Sequence, residues 1–438
     1  PSPEALRSIL LSLGVAAEEL KGQPYTWRGV RIRSDGCVRE LDLTGRPISG
    51  SLDPLANLTS LERLYLKNTG VTGGLQALAE MTELRQLRLQ GTKVSGDLQP
   101  LFKLTKLNGL WLEHTGVTGD LQPLGDMTEL HQLRLHGTNV AGDLQPLIKL
   151  TKLMELLLEN TGVTGGLQAL SDLSDLRKLW LGGTKVAGDL QTIAKLTRLN
   201  LLLLKNTGVT GGLQALGDMT EMRELWLQDT KVSGDLQPLF KLTKLKELYL
   251  QNTVVDGDFG ELLHLTNLMQ APVSLSLAPH FAFFHMSEAD LSGTRVSGRL
   301  TPAWRGQLLQ LHTLRLKGSQ VNFLPVGRDL EDLRATFITE KTHQLLPALV
   351  TLDVSLCPLD GEVEDLLEPL SFAGHLASLR ASGANLSGHL QKNCLREIFI
   401  DGNLFDDHCS IPLQSSLQGL ELADNKIHRI EGIPANVY

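Results

Sequence analysis

The chain has 438 residues, 42% hydrophobic but only 5% aromatic, and a formal net charge of −8 at neutral pH. That acidic balance supplies no basic surface of the kind that nucleic acid or an anionic membrane attracts, and no apolar run reaches the roughly 18 residues of a membrane span. The length ordinarily signals two or three domains. Here one short pattern recurs through most of the chain, and a repeat array grows by adding coils instead of enlarging one core.

Residues 2–20 read as a capping helix. Ser2 can cap it, Pro3 suits the first helical position, and Leu6, Ile9, Leu10, Leu13 and Val15 form an apolar stripe ending near Gly14 or Gly22. Such a helix would cover the open end of a stack, whose leucines and strand edge would otherwise meet water. A regular array then begins at Val38, and leucine recurs every 23 residues at Leu61, Leu84, Leu107, Leu130, Leu153, Leu176 and Leu199, followed by Met222, Leu245 and Leu268. Fixed self-similarity at this period means one small unit stacked many times, because no single unit can bury its apolar face alone. Each unit reads LxxLxLxxTxVxG(D/G)LQ(P/A)LxxLTxL, as from Leu84 through Leu87, Leu89, Thr92, Val94, Gly96, Leu98, Pro100, Leu101 and Leu104 to Lys106.

Beyond Leu268 the period drifts. Met286, Ala289 and Leu291 form a compressed coil, and Leu311, Leu314 and Leu316 another. The interval 322–348 is too long for a coil, and the run from Asp329 to Ile338 suggests a helical insertion. Coils resume at Leu349-Leu352-Val354, Leu376-Leu379-Ala381, Leu395-Ile398-Ile400 and Leu417-Leu420-Leu422.

The unit resembles the leucine-rich repeat, whose consensus LxxLxLxxNxL builds one short parallel strand per coil. Its continuation xGxLQPL is similar to the plant-type subclass, LxGxIPxxLxxLxx, with one residue fewer, and the Thr-bearing coils with GDLQPL are similar to arrays from algal lineages. The resemblance implies an α/β repeat: a curved, twisted leucine-rich-repeat horseshoe with a parallel sheet on its concave face, a short second strand per coil, and an N-terminal helical cap. Four regions follow: a cap over 1–37, regular repeats over 38–268, irregular repeats with the insertion over 269–348, and irregular C-terminal repeats with a cap over 349–438. The family's ninth-position Asn, which serves backbone groups of the neighbouring turn, is Thr here from Thr69 through Thr253, and Asn returns only at Asn403 and Asn425. Thr offers one polar side-chain atom where Asn offers two. The stretch from Trp27 to Leu43 resembles the plant-type cap, with Ile32 where that cap carries a Cys.

Two further patterns overlie the repeat. Acidic and basic coils alternate, so the period is 46 as well as 23: Glu80 and Glu83, then Lys103 and Lys106, Asp126 and Glu129, Lys149 and Lys152, and onward to Lys241 and Lys244. Stacking is expected to set each carboxylate pair between two basic pairs, a solvated ladder that fixes register. The residue between the last two leucines of LxxLxL points away from the core, because strand side chains alternate. This column reads Tyr65, Arg88, Trp111, Arg134, Leu157, Trp180, Leu203, Trp226, Tyr249. Aromatic and Arg side chains carry interface energy, which marks Tyr65, Arg88, Trp111, Arg134, Trp180, Trp226 and Tyr249 as the candidate protein-binding residues. Arg63, Glu113, His136, Glu155, Lys178, Lys205, Glu224 and Glu247 would form a polar rim.

No phosphate loop, kinase signature, nucleophile elbow, HExxH or CxxC pair occurs, so no catalytic residue is assigned, and no cofactor is expected. His114, His131 and His136 fall on adjacent coils without a fixed carboxylate or thiol beside them, and no metal site is assigned. Arg28, Arg31 and Arg33 read as solvated surface. With only four cysteines, Cys37, Cys357, Cys394 and Cys409, and no near mate for Cys37, a reducing interior or an organelle fits better than the cell exterior. The reading that follows is a non-enzymatic module that binds a protein through the concave face. The alternative is an accessory or scaffold subunit of a large, organellar or photosynthetic complex. A receptor ectodomain is a third reading, one that needs a leader and tail beyond this sequence.

Overall fold

The structure is a computed structural model, and it describes residues 2–258, 286–299, 311–322, 349–359, 361–363, 376–388, 390, 395–405 and 417–427. Two units are distinguished, Pro1–Thr210 and Gly211–Tyr438. The expected helix near 329–338, Leu268, Cys394, Cys409 and the last residues of the chain lie outside the described residues.

The first unit opens with the helix Pro3–Ser12, capped by Ser2, whose Oγ accepts the Ala5 N–H at 3.2 Å. Leu6, Ile9, Leu10, Leu13 and Val15 are all buried. The helix is shorter than the sequence suggested. Gly14 turns left-handed at φ 91°, its N–H bonding Leu11 O while the Val15 N–H bonds Leu10 O, the paired closure that ends a helix at glycine. Residues Ala17–Leu20 form a separate 3₁₀ turn.

Val30–Ile32 then pairs antiparallel with Val38–Asp42. From there the strands are parallel and follow chain order: Arg63–Tyr65, Gln86–Arg88, Gly109–Trp111, Gln132–Arg134, Glu155–Leu157, Lys178–Trp180 and Leu201–Leu203. Each of these strands is three residues long, with its middle leucine turned inward. Leu64, Leu87, Leu110, Leu133, Leu156, Leu179 and Leu202 are all fully buried. A second parallel row runs Thr72–Gly74, Lys93–Asp97, Gly116–Gly119, Asn139–Asp143, Gly162–Gly166 and Lys185–Asp189. Short 3₁₀ turns such as Gln99–Lys103 and Gln145–Lys149 close each coil, their prolines occupying first-turn positions where no N–H is needed.

In the second unit Glu224–Trp226 pairs with Glu247–Tyr249, and parallel pairing continues through Glu288–Asp290, Thr313–Arg315, Thr351–Asp353, Ser378–Arg380, Glu397–Phe399 and Gly419–Glu421. These are the coils expected where the period drifts. The strand and its inward apolar residue persist while the connecting length varies.

From Asn68 to Gly183 the turn after each strand shares the double period, which lapses at Asn206, Asp229 and Asn252. Its residue is left-handed in coil after coil, alternating Asn68 (φ 54°), Gly91 (φ 69°), His114 (φ 57°), Gly137 (φ 69°), Asn160 (φ 55°) and Gly183 (φ 68°). A Cβ on Gly91 would stand 2.5 Å from the Asn68 Oδ1, and one on Gly137 would stand 2.6 Å from the His114 Nδ1. Asn68, His114 and Asn160 therefore each lie where the following coil supplies only hydrogen.

The Thr ladder works inside its own coil. Thr92 Oγ1 donates to Leu89 O at 2.6 Å and accepts the Val94 N–H at 3.4 Å, and Thr138, Thr184 and Thr230 repeat the arrangement. Asn403 bridges coils instead. Its amide donates to Ile400 O at 2.7 Å and Ala381 O at 2.8 Å, and its Oδ1 accepts the N–H groups of Ala384 and Leu386 at 3.0 Å. Along the charged edge Glu80 binds Lys103, Glu83 binds Lys106, Asp126 binds Lys149, Glu129 binds Lys152 and Asp175 binds Arg198. In every one of these pairs the cation lies one coil after the carboxylate, so the ladder is a set of coil pairs. These groups are exposed and screened, and they contribute register more than stability.

Two stability measurements test this account. Leu133→Ala should lower the unfolding free energy by about 2 to 5 kcal/mol in urea melts, the cost of a cavity in a closed core; a loss under about 1 kcal/mol would contradict the stacking. Asn403→Thr keeps the bond within its coil and drops those to Ala381, Ala384 and Leu386, so a loss of about 2 to 4 kcal/mol is expected, and no loss would show that the bridge is dispensable.

Candidate protein-binding face

The strands of the first unit present two outward columns. One holds Tyr65, Arg88, Trp111, Arg134, Leu157, Trp180 and Leu203, between the last two strand leucines; the other, after the last leucine, holds Lys67, Gln90, Glu113, His136 and Glu159. Both follow from strand alternation, and pairing in register places equivalent residues side by side, as with Arg88 and Trp111 or Trp111 and Arg134.

The first column is less open than its position suggests. Trp111 is 4% exposed, and a Cβ on Gly109 would meet the Trp111 ring at 2.1 Å, so the indole lies flat along its own strand over the space glycine leaves. Leu157 and Leu203 are equally covered. Arg88, Arg134 and Trp180, in the intervening coils, are half-buried and shelter them. The Arg88 guanidinium stands 4.4 Å from the Trp111 ring centroid and 5.0 Å from that of Tyr65, a cation between two aromatic faces. His114 and His136 meet edge to face at 5.1 Å, and His136 lies 6.0 Å from Trp180. His131 turns away, its Nδ1 2.8 Å from Glu129 O, and among the described residues no group of three His, Cys, Asp or Glu side chains is placed to hold a metal ion.

Charges on this face are mostly paired. Glu40 binds Arg31 and Arg63, Glu62 binds Arg33 and Arg39, Glu155 binds Arg134 and Lys178, and Glu159 binds Lys205. Arg31 and Arg33, read as solvated surface, are thus held in ion pairs. Burial would raise the Glu155 carboxyl, yet its bonds to Arg134 and Lys178 hold it below the usual carboxylate range. Glu113 differs. Burial pushes it above that range despite a bond to its own backbone N–H and the distant charges of Arg134, His114 and Lys67. Burial likewise lowers His136, with His114 adding to the effect.

Among the described residues of this unit, the buried side-chain polar atoms without a hydrogen-bond partner are Arg88 Nε, Gln90 Oε1, Glu113 Oε2, His136 Nδ1 and Trp180 Nε1. Every one belongs to the two outward columns. Each such group costs about 1 to 3 kcal/mol, and buried polar atoms in folded proteins are otherwise nearly always satisfied. Sequence reasoning placed Glu113 and His136 on a polar rim and passed over Gln90. Nothing in the repeat signals that these atoms lack partners.

In the second unit the Trp226 and Tyr249 rings meet at 4.9 Å, and the Tyr249 hydroxyl donates to Glu288 Oε2 at 2.5 Å. Burial first, then Glu288, pushes the phenol up, so it stays protonated. The column continues past Tyr249, where the sequence reading stopped. Arg380 lies 4.2 Å from the Phe399 ring centroid, and both occupy the same coil position as Arg88 and Trp111.

No protein-family model matches the chain, and no curated protein matches it in sequence. Solved structures do match in fold. A plant peptide hormone receptor in complex with RGF2 superposes with a TM-score of 0.67 at 20% identity, covering 88% of this chain and 71% of the receptor. The leucine-rich-repeat ectodomain of the Arabidopsis receptor kinase HAESA gives 0.58 at 17% identity, with coverage of 97% and 85%. A leucine-rich-repeat protein of Leptospira interrogans gives 0.58 at 18%, with coverage of 89% and 91%. The fold is a leucine-rich-repeat solenoid. Within that framework the inward leucines serve the stack, and the outward columns are the positions the stack leaves free.

His136 gives a pH-dependent test of the face. Its lowered affinity for protons means that the unfolded chain takes up a proton first as the pH falls through about 6.5, so this site loses stability on acidification. His136→Phe keeps a ring against Trp180 and removes the titration. The melting temperature of the variant minus that of the wild type should therefore rise from pH 7.5 to pH 5, and a constant difference would show that His136 is not buried as described.

Proposed function

We propose that the chain is a non-enzymatic recognition module that binds a protein partner through the outward columns of its strands. In the first unit Tyr65, Arg88, Arg134 and Trp180 would carry the contact above Trp111, and in the second Trp226 and Tyr249. The observation behind this reading is the gathering of unpartnered polar atoms on one aromatic and Arg-rich face. A folded chain that leaves five such atoms beside large rings holds, on that face, bonding capacity that its own residues do not use. A partner supplies the missing donors and acceptors while covering the rings, which joins the two components of an interface hot spot. The structural neighbours include a receptor named for a peptide hormone, which agrees with a recognition role for this kind of surface.

Trp111 has a supporting part in this arrangement. Being covered already, it presents Arg88 more than it meets a partner, and the half-buried Arg88, Arg134 and Trp180 form the contact layer. Capture of partners from native extract by the intact chain should fall about tenfold or more with Arg88→Ala plus Trp180→Ala, the loss typical of central anchors. Equal capture by a folded double variant, its fold checked by circular dichroism, would place the binding surface elsewhere on the chain.

A further inference from the structure

We propose that the outward face at Glu113 receives a cationic side chain, Lys or Arg, from the protein partner. The inference rests on the reading above, that this face binds a protein, and it specifies the chemistry that the partner brings. Three consecutive coils place an unsatisfied acceptor at the same position, just after the last strand leucine: Gln90 Oε1, Glu113 Oε2 and His136 Nδ1. The middle one belongs to a carboxyl group on a residue only 8% exposed.

The neighbouring carboxylates show what Glu113 lacks. Glu40, Glu62, Glu155 and Glu159 each hold at least one Arg or Lys within 4.0 Å. Among the described residues no ion pair reaches Glu113. Arg134, the cation of the adjacent coil, is committed to Glu155 at 3.0 Å, and Lys67 and His114 act on Glu113 only through space. The upward push of burial on this carboxyl agrees with a negative charge that the chain itself does not compensate.

The chemistry of the occupant follows from the atoms to be satisfied. An ammonium offers three donors and a guanidinium five, and neither carries an acceptor. With neutral His136 offering a lone pair at Nδ1, all three orphan atoms of this column can accept. Coils repeat at about 4.8 Å, so a guanidinium over Glu113 can reach toward an adjacent coil. A carboxylate would be repelled, and a neutral amide would leave the charge uncompensated. The donors Arg88 Nε and Trp180 Nε1, in the other column, remain for main-chain carbonyls of the same partner. Because Glu113 is covered, entry of the cation turns aside side chains of the face, and the indoles of Trp111 and Trp180 are placed to report it.

The test is a tryptophan-fluorescence titration of the full chain with N-acetyl-arginine amide, beside its neutral counterpart N-acetyl-citrulline amide. The wild type should give a saturable response to the arginine compound. The response should weaken by about tenfold or more for citrulline and in Glu113→Gln, the scale for losing one partner of a buried charged pair. Glu113→Gln should also melt at a higher temperature than wild type at pH 7, since it relieves an unpaired buried charge. Equal responses to the two compounds, an arginine response unchanged in Glu113→Gln, or a melting temperature no higher than wild type would each overturn the proposal. Partner capture separates this failure from failure of the underlying reading. Capture lost with Arg88→Ala plus Trp180→Ala but kept in full by Glu113→Gln leaves the face as the binding surface and removes the cation from it. Capture indifferent to all three substitutions removes the face itself.

Discussion

Inward leucines from successive coils close over one another, and this burial is the constraint to which the rest of the chain answers. A coil of 23 residues loses about 1 to 2 kcal/mol of backbone entropy per residue on ordering, more than its few apolar side chains recover alone, so a coil is stable only between neighbours. The requirement falls on a minority of positions. It demands a leucine, or a close substitute such as the buried Met222 or Ile398, at each inward site. It demands little of the residues that alternate with them. The outer columns are therefore held rigidly in rows while their identities stay free, which suits a surface meant to discriminate.

That freedom has been used in an unusual way. A face designed only for water would carry short polar side chains; this one carries rings and guanidinium groups that close over each other, with Arg88 between Tyr65 and Trp111 and His136 between His114 and Trp180. The packing leaves polar atoms without partners, and a deep leucine core tolerates the cost. The second unit repeats the device in Trp226 with Tyr249 and in Arg380 with Phe399.

What the sequence discloses is whatever depends on period. The leucine register, the strand of each coil, the apolar stripe of the N-terminal helix and the membership of the outward columns all follow from spacing. The second strand row follows from the resemblance to plant-type arrays, and the coils beyond Met286 are legible from their LxxLxL remnants. Features set by contact between particular side chains are not. The helix stops at Ser12 because a glycine closure at Gly14 intervenes, although apolar residues continue to Val15. The charged edge offers each lysine a carboxylate one coil before and one coil after, so spacing alone leaves the choice open. Trp111 belongs to the outward column by alternation, but its exposure depends on the glycine two residues earlier. Glu113 reads as an ordinary rim residue until its neighbours are seen to have committed their cations elsewhere.

The left-handed turn and the charged edge bear on how such an array can change length. Asn68 sits over Gly91, His114 over Gly137 and Asn160 over Gly183. Asn206, Asp229 and Asn252, however, follow one another with no glycine between, and Asn252 donates to Asp229 Oδ1 at 2.8 Å. The turn thus admits bulky residues in successive coils, and the charged edge is what favours copying coils in pairs. Unequal recombination that inserted or removed one coil would set like charges against like along that edge, where each cation answers the carboxylate one coil before it. Duplication of two coils would preserve that pairing. Homologous arrays of different size are thus expected to differ by even steps, and the outward columns to be gained or lost two residues at a time.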